Sequence, residues 1–195
     1  FSMGISNMIA TGKKHGITIA NSIVTRYMKC ASYPESTPIV DFGSGLYARQ
    51  SQVLQEKYPY IRAYDFPLVI TESVKNQPDL AFVFDPQPFD IQPKVVLLSN
   101  VLNVQETLPK LKQTLNHVYC QMPLNSKIIF NLPNDPIKMT SIQSPAEFRK
   151  TALSEVEKRF TNVQKIPSAC NLPIKYLYEA TKTFDSKVFC KPDAS

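Results

Sequence analysis

The sequence predicts one α/β domain in which helices cover both faces of a mostly parallel β-sheet. Short apolar runs bounded by turn residues alternate with longer amphipathic segments, as in βαβ units. The run KVVLLSN at 94–100 is the most apolar of these, as expected of a central strand buried on both faces. With 195 residues and 43% hydrophobic composition, the chain can build one core but not two ordinary domains.

The predicted elements follow in order along the chain. Apolar residues at helical spacing predict an amino-terminal helix over 17–30, and the break SYPESTP separates it from the strand PIVDF at 38–42. A helix over 46–58 directly follows two glycines. The next elements are a strand at 60–65, a helix at 68–77, strands at 79–85 and 94–100, a helix at 108–122 and a strand at 126–133.

The final third of the chain has a different pattern. Ser144, Pro145 and Glu147 form a capping-box start that predicts a helix over 144–160. NVQKIPSA and IKYLYEATKTF then follow as two strands with no helix between them. We therefore predict a carboxyl-terminal antiparallel hairpin at the edge of a seven-stranded sheet.

Composition narrows the setting. We expect one domain over 1–195, with a helical segment at 1–36 and an α/β core at 37–195. The formal charge of +6 is scattered, and it is compatible with an anionic partner such as nucleic acid. Four separated cysteines without a CxxC pair predict reduced, mostly buried thiols and no metal site. No apolar run reaches the roughly 18 residues that span a bilayer, so we expect no membrane partner and a cytoplasmic location.

The turn after the first predicted strand favours a nucleotide-like ligand. Residues 43–48 satisfy G-x-G-x-x-G/A, and Asp65 ends the next strand about 20 residues later, where its carboxylate would bind a ribose diol. A dinucleotide and S-adenosylmethionine both offer that diol. An ordinary tight turn without a ligand is the alternative interpretation.

Asp41 separates the two ligands, because it lies two residues before the first glycine. A carboxylate at that place would repel the pyrophosphate of a dinucleotide. It suits the cationic amino-acid end of S-adenosylmethionine.

The motifs VDFGSG, AYD, FVFD and VVLLSNVLNV resemble, in order, the first four motifs of the class I S-adenosylmethionine-dependent methyltransferases, over about 39–104. The segment SNVLNVQ is also similar to small methyltransferase-like proteins of phages and bacteria. The resemblance implies a Rossmann-like three-layer sandwich and methyl transfer from S-adenosylmethionine. It also implies that the helical segment at 1–36 covers the cofactor pocket.

The resemblance also implies roles for individual residues. It assigns the ribose hydroxyls to Asp65, one face of the adenine to Phe66 and the adenine amino group to Asp85. Asn100 would lie where the methyl group leaves. The methionine part of the cofactor would be held by Asp41, Phe42, Gly43, Ser44 and Gly45. Asp85 is equally well interpreted as a strand-end turn residue before Pro86.

The sequence departs from the family at two places. Tyr47 stands where a third glycine is common and would narrow the cofactor site, whereas PLNSK replaces a Gly-Gly turn before the fifth strand and would change only a turn. Either departure is also compatible with a degenerate domain that binds no cofactor.

The methyl acceptor stays open. The Asp/Asn-Pro-Pro-aromatic and Pro-Cys signatures of base-methylating DNA enzymes are absent, which leaves RNA, a nucleotide or other small molecule, a protein side chain, or DNA through an unusual site. We predict Asn100 and His15 as catalytic residues, with Lys13 and Lys14 beside His15 closing the site or contacting an anionic acceptor. A solvated helix entry is the alternative for this cluster. His117 is interpreted as an ordinary helix residue.

The predicted function is therefore methyl transfer from S-adenosylmethionine to an unidentified acceptor. The first alternative is a catalytically inactive methyltransferase-like fold that binds a nucleotide or a protein. The second is a nicotinamide oxidoreductase, which lacks support because the chain shows no separate substrate domain and no evident hydride-transfer acid.

Overall fold

The computed structural model describes residues 22–133, 139, 141–142 and 144–191. Nine strands are present in this part of the chain: β1 Ile39–Phe42, β2 Ile61–Asp65, β3 Ala81–Phe84, β4 Val95–Leu98, β5 Lys127–Asn131, β6 Thr161–Lys165, β7 Ser168–Ala169, β8 Leu172–Pro173 and β9 Leu177–Thr181. The α-helices are α1 Ile23–Cys30, α2 Arg49–Leu54, α3 Glu72–Lys75, α4 Leu108–Gln121 and α5 Pro145–Glu157, and a 3₁₀-helix covers Leu102–Val104.

Seven strands form the main sheet in the order β3–β2–β1–β4–β5–β9–β6. The five strands from β3 to β5 are parallel, and β9 is antiparallel to both β5 and β6. The predicted edge hairpin is therefore confirmed. A small hairpin of β7 and β8, which the sequence did not predict, lies between its two strands.

Alternation along the strands supplies two cores, one on each face of the sheet. On the first face, Val24 and Met28 of α1 pack with Ile39 and Leu97. On the other, the apolar residues of α4 and α5 pack against alternate residues of the same strands. The mostly parallel sheet between two helical layers confirms the predicted fold class.

The helix ends follow from local chemistry. The Ser144 hydroxyl accepts a hydrogen bond from the Glu147 amide at 3.1 Å, as the capping-box pattern predicts. The helix predicted over 46–58 is shorter at its start because Ala48 has a left-handed backbone with φ of 43°. The helix predicted over 68–77 is reduced to the single turn of α3.

The PLNSK turn before β5 works without glycine. Asn125 adopts φ of 66° there and donates its amide to the Lys182 carbonyl at 2.7 Å. Asparagine tolerates this left-handed conformation better than other non-glycine residues. The departure from the family pattern thus changes only the residue that makes the turn.

The prediction of reduced, buried thiols is wrong. Cys30 pairs with Cys170 and Cys120 with Cys190, and three of these four residues are exposed. The sequence did not reveal the pairs because the fold brings together cysteines 140 and 70 positions apart. Disulfides are typical of oxidising compartments, so the expected cytoplasmic location loses the argument from reduced cysteines. Among the described helices, none has the length and apolar composition needed to cross a bilayer.

Candidate functional site

The loop of residues 43–48 connects β1 to α2 at the carboxyl edge of the parallel strands. The amides of Gly43 and Ser44 both donate to the Tyr64 carbonyl, at 2.8 and 3.1 Å. Gly43 has φ of 71°, and a Cβ built on it would lie 2.8 Å from the Val101 methyl group Cγ2. Both the backbone conformation and the close approach of Val101 therefore require glycine at position 43.

Asp65 holds the tip of this loop. Its Oδ2 accepts the Gly45 amide at 2.8 Å, and its Oδ1 accepts the Phe66 amide at 2.8 Å. Burial raises the pKa of Asp65 to about 6, although both amide bonds oppose the rise. Because a carboxylate oxygen can accept two hydrogen bonds, each oxygen retains one acceptor position for a ligand hydroxyl.

Asp41 lies on the first face of the sheet, under α1 and α2, and is 1% exposed. Its Oδ1 accepts Gln50 Nε2 at 2.7 Å, and its Oδ2 accepts the Ser51 hydroxyl at 2.6 Å. Burial raises the pKa of Asp41 to about 6 against these two bonds. The carboxylate therefore ties the end of β1 to the start of α2, and its direct contact with a methionine group stays a prediction.

Asn100 follows β4 at the same edge, with a left-handed φ of 55°. Its amide donates to Asn131 Oδ1 at 2.7 Å, and Asn131 Nδ2 donates back to Asn100 Oδ1 at 2.8 Å. Asn131 belongs to no motif, and its position at the end of the strand beside β4 is the only signal that the sequence carries for this pair. This reciprocal pair fixes the orientation of the Asn100 amide.

Asp85 turns towards the α4 face. Its Oδ1 accepts the Tyr64 hydroxyl at 2.6 Å and lies 3.2 Å from His117 Nε2. The hydrogen bond with His117 lowers the pKa of Asp85, and the Tyr64 bond adds to that effect against burial. The described protein thus already supplies partners for Asp85, and its proposed contact with adenine stays a prediction.

The sequence predicts an ordinary helix residue at His117. It does lie in α4, but Nε2 is also 2.9 Å from the Tyr64 hydroxyl and 2.9 Å from Gln121 Nε2. The spacing of 32 residues between Asp85 and His117 gives no motif, so sequence reasoning had no signal for this cluster.

The other predicted cofactor residues differ in exposure. The Phe42 ring belongs to the core on the α4 face and stacks on Tyr64 with a centroid distance of 5.1 Å. Phe66 is half-buried beside Asp65. Ser44 is buried, and its hydroxyl has no hydrogen-bond partner among the described residues.

No protein-family model and no curated protein matches the sequence. Solved structures do match. Human N-acetylserotonin methyltransferase in complex with SAM is 15% identical, with 91% of this chain and 55% of that chain covered, at a TM-score of 0.57. PigF with SAH is 15% identical, with 89% of this chain and 59% of that chain covered, at a TM-score of 0.64. A TehB-like SAM-dependent methyltransferase from Corynebacterium glutamicum is 13% identical, with 90% of this chain and 99% of that chain covered, at a TM-score of 0.60.

The chain has the class I methyltransferase fold. At these identities the comparison establishes the fold alone. The chain spans little more than half the length of the N-acetylserotonin methyltransferase and PigF chains, and nearly all of the TehB-like chain.

Within the methyltransferase fold, Tyr47 stands where a third glycine is common. Its ring packs with the cluster that contains Ile70, Val74 and Leu80, and the Arg49 guanidinium lies 5.2 Å from the ring centroid. The tyrosine therefore contributes to the core beside the loop.

The remaining predictions concern the Lys13, Lys14 and His15 cluster and metal binding. His15 lies outside the described residues, as do Lys13 and Lys14, so their roles stay predictions. Among the residues that the structure does describe, no group of three His, Cys, Asp or Glu side chains could hold a metal ion.

Proposed function

We propose that this domain binds S-adenosylmethionine at the carboxyl edge of β1, β2 and β4 and transfers its methyl group to an acceptor. The observation that carries the proposal is the Asp65 carboxylate, which pins Gly45 and still offers one acceptor position on each oxygen. The cofactor is also supported by the SAM and SAH in the structures of N-acetylserotonin methyltransferase and PigF.

The residues at this edge fit the cofactor. Asp65 lies at the end of the strand next to β1, where a ribose diol would donate to its two oxygens. The unpartnered Ser44 hydroxyl in the glycine loop is a buried polar group that a bound polar ligand would satisfy. Phe66 would supply an apolar surface for the adenine.

When bound, the cofactor would supply an electrophilic methyl group on a sulfonium. The protein's part would be to position an acceptor in line with that methyl and to exclude water. Asn100 Nδ2 has no hydrogen-bond partner among the described residues, and the Asn131 contact fixes its orientation. This N–H group would orient the acceptor heteroatom, and His15 would serve as the base for a hydroxyl acceptor.

A small molecule with a hydroxyl group is the acceptor class that the comparisons favour. The matched structures include an O-methyltransferase family 2 protein in complex with apigenin, at a TM-score of 0.55, and mitomycin 7-O-methyltransferase, at 0.53. The net charge of +6 makes an anionic acceptor such as RNA the alternative to test alongside it.

Calorimetric titration with S-adenosylmethionine, S-adenosylhomocysteine and NAD tests the proposal. Binding of both sulfur ligands, and its loss in Asp65→Ala, is the expected result. No binding of either sulfur ligand by the wild-type chain would refute it. Transfer of labelled methyl to a panel of hydroxylated small molecules and RNA then identifies the acceptor class.

Binding without catalysis is a second candidate. It is favoured by two acids that the resemblance assigns to the cofactor: both oxygens of Asp41 and Oδ1 of Asp85 already bond to the protein, so fewer groups are left to orient a cofactor for transfer. Tight S-adenosylhomocysteine binding with no methyl transfer to any acceptor in the panel or in a cell lysate would support this candidate.

A further inference from the structure

Gln50 lies in the first turn of α2 and is fully buried. Its Nε2 donates to Asp41 Oδ1 at 2.7 Å, while its Oε1 accepts the Thr25 hydroxyl at 2.9 Å and the Ser22 hydroxyl at 3.3 Å. The carboxylate and the hydroxyls together fix which way the amide points. One side chain therefore connects β1 to α1.

The α1 end of this connection lies at the carboxyl edge of the sheet. Ser22 is the N-cap of α1, and its hydroxyl accepts the Thr25 amide at 3.2 Å. The same hydroxyl is 3.0 Å from that of Ser99, which directly precedes Asn100. The first turn of α1 is thus held against the ends of both β1 and β4.

The α2 end of the connection lies at the base of the glycine loop. Asp41 precedes the loop, and its two bonded partners, Gln50 and Ser51, follow it. The carboxylate consequently closes the loop at its base, as Asp65 holds it at its tip. A change in the position of Gln50 would change the spacing of the loop ends.

The opposite end of α1 is held independently of Gln50. The Cys30–Cys170 disulfide links it to the β7–β8 hairpin, and the Tyr58 hydroxyl donates to the Met28 carbonyl at 2.8 Å. Loss of the Gln50 contacts would therefore loosen the first turn of α1, which keeps the Ser22–Ser99 contact and its apolar packing, while its last turn stays attached.

We propose that Gln50 is a positioning residue that couples the docking of the first turn of α1 to the shape of the glycine loop. Cofactor binding and α1 docking then stabilise each other, because a coupling free energy between two sites is reciprocal. This inference rests on the proposed function and adds a regulatory link to it.

The test compares Gln50→Leu with Gln55→Leu. Gln55 is the C-cap of the same helix, and its Oε1 is buried without a partner in the described chain, so it is a matched control. Gln50→Leu should weaken S-adenosylhomocysteine binding by about tenfold, since a hydrogen bond to a charged group is lost, and should speed exchange of the α1 amides from Thr25 to Met28. Gln55→Leu should change neither quantity by more than about twofold.

Thr25→Val provides a second variant that leaves α2 intact. It removes the α1 hydroxyl that donates to Gln50 and should weaken S-adenosylhomocysteine binding by about threefold. In the double variant with Gln50→Leu, the loss of binding free energy should be smaller than the sum of the two single losses, because both substitutions remove the same connection. Bound S-adenosylhomocysteine should slow amide exchange in α1 of the wild type, and it should slow that exchange less in Gln50→Leu.

Two results separate this inference from the proposed function. Wild-type chain that binds no S-adenosylhomocysteine overturns the proposed function and the coupling together. Normal S-adenosylhomocysteine binding by Gln50→Leu and Thr25→Val overturns only the coupling. So does weakened binding in Gln50→Leu with α1 exchange unchanged.

Discussion

The two faces of the sheet treat their carboxylates differently. On the α1 face, Asp41 receives its hydrogen bonds from neutral donors, as does Asp65 at the edge, and burial raises the pKa of both to about 6. On the α4 face, Asp85 is less buried and bonds to His117 and Tyr64, and its pKa is lowered. Neutral donors hold a carboxylate without compensating its charge, so Asp65 remains a strong acceptor for ligand hydroxyls.

This difference supports the proposed binding role of Asp65 and a structural role for Asp85. Asp65 accepts a backbone amide of a loop that requires glycine, whereas Asp85 contacts the side chain of His117 in α4. The resemblance to methyltransferases assigns both acids to the cofactor. The contacts favour Asp65 for that role and Asp85 for the stability of the α4 face.

Removal of the disulfides should have the largest effect, because each links one face to a distant part of the chain. Replacing both cysteines of a bridge by serine should lower the free energy of unfolding by at most about 5 kcal/mol for Cys30–Cys170 and about 4 kcal/mol for Cys120–Cys190, because the stabilisation by a cross-link grows with the length of the loop that it closes. Urea unfolding under non-reducing conditions measures the free energies. S-adenosylhomocysteine binding should fall only in the Cys30/Cys170 variant, which loses the anchor of α1. Equal effects on both variants would contradict the distinction between the faces.

Substitution of the acids should separate binding from stability. Asp65→Ala should weaken S-adenosylhomocysteine binding by about 100-fold, because two hydrogen bonds to a charged group are lost along with the loop contact. Asp85→Ala should weaken it by less than about fivefold. Calorimetry provides both values. A larger loss in Asp85→Ala than in Asp65→Ala would reverse our assignment of the two acids.

Tyr64→Phe tests the α4 face alone. Loss of the hydroxyl that donates to Asp85 should destabilise the domain by about 2 kcal/mol and leave S-adenosylhomocysteine binding nearly unchanged. Tyr47→Phe is the matched control, because the Tyr47 hydroxyl has no hydrogen-bond partner in the described chain. Comparable urea midpoints for the two variants would show that the Asp85 cluster contributes little.

The pH dependence of stability should be the smallest effect per group, and its sign differs between the faces. Because Asp41 and Asp65 have a raised pKa when folded, the folded state binds more protons than the unfolded state between about pH 4 and 6. Stability should therefore rise by about 1 kcal/mol per carboxyl as the pH falls from 7 to 5. Asp85, with its lowered pKa, loses its contribution only below the usual carboxyl range.

Asp41→Asn checks this sign. The variant should show about half of the wild-type gain between pH 7 and 5 in urea unfolding, since one of two raised carboxyls is gone. A wild-type domain that loses stability over this interval would contradict the burial of both acids in the folded state.

The periodic parts of the fold were predictable from the sequence, and the long-range contacts were not. The strand runs and the Ser144 cap depend on neighbours within a few residues, so local patterns indicate them directly. The spacing from the glycines to Asp65 likewise predicted that this acid lies beside the glycine loop. The bond between Asp65 and Gly45, the Asn100–Asn131 pair and the disulfides depend on how distant strands and helices assemble.

Asp41 illustrates the limit most clearly. Its place before the glycines predicts a contact with the cofactor, and that contact stays a prediction. Its hydrogen bonds lie on the α1 face, opposite the side chain of Phe42, because side chains alternate along a strand. The position of Asp41 in the sequence placed it next to the glycine loop. Its partner Gln50 could not be predicted, because Gln50 lies in the first turn of a helix that begins three residues later than predicted.

The two disulfides also have a topological consequence, because their positions alternate along the chain: Cys30, Cys120, Cys170 and Cys190. The covalent rings that they close overlap. A single peptide bond cut anywhere between Cys30 and Cys190 therefore leaves two fragments that remain joined by at least one bridge. Nicked protein should migrate as one species on a non-reducing gel and separate into two only after a thiol is added.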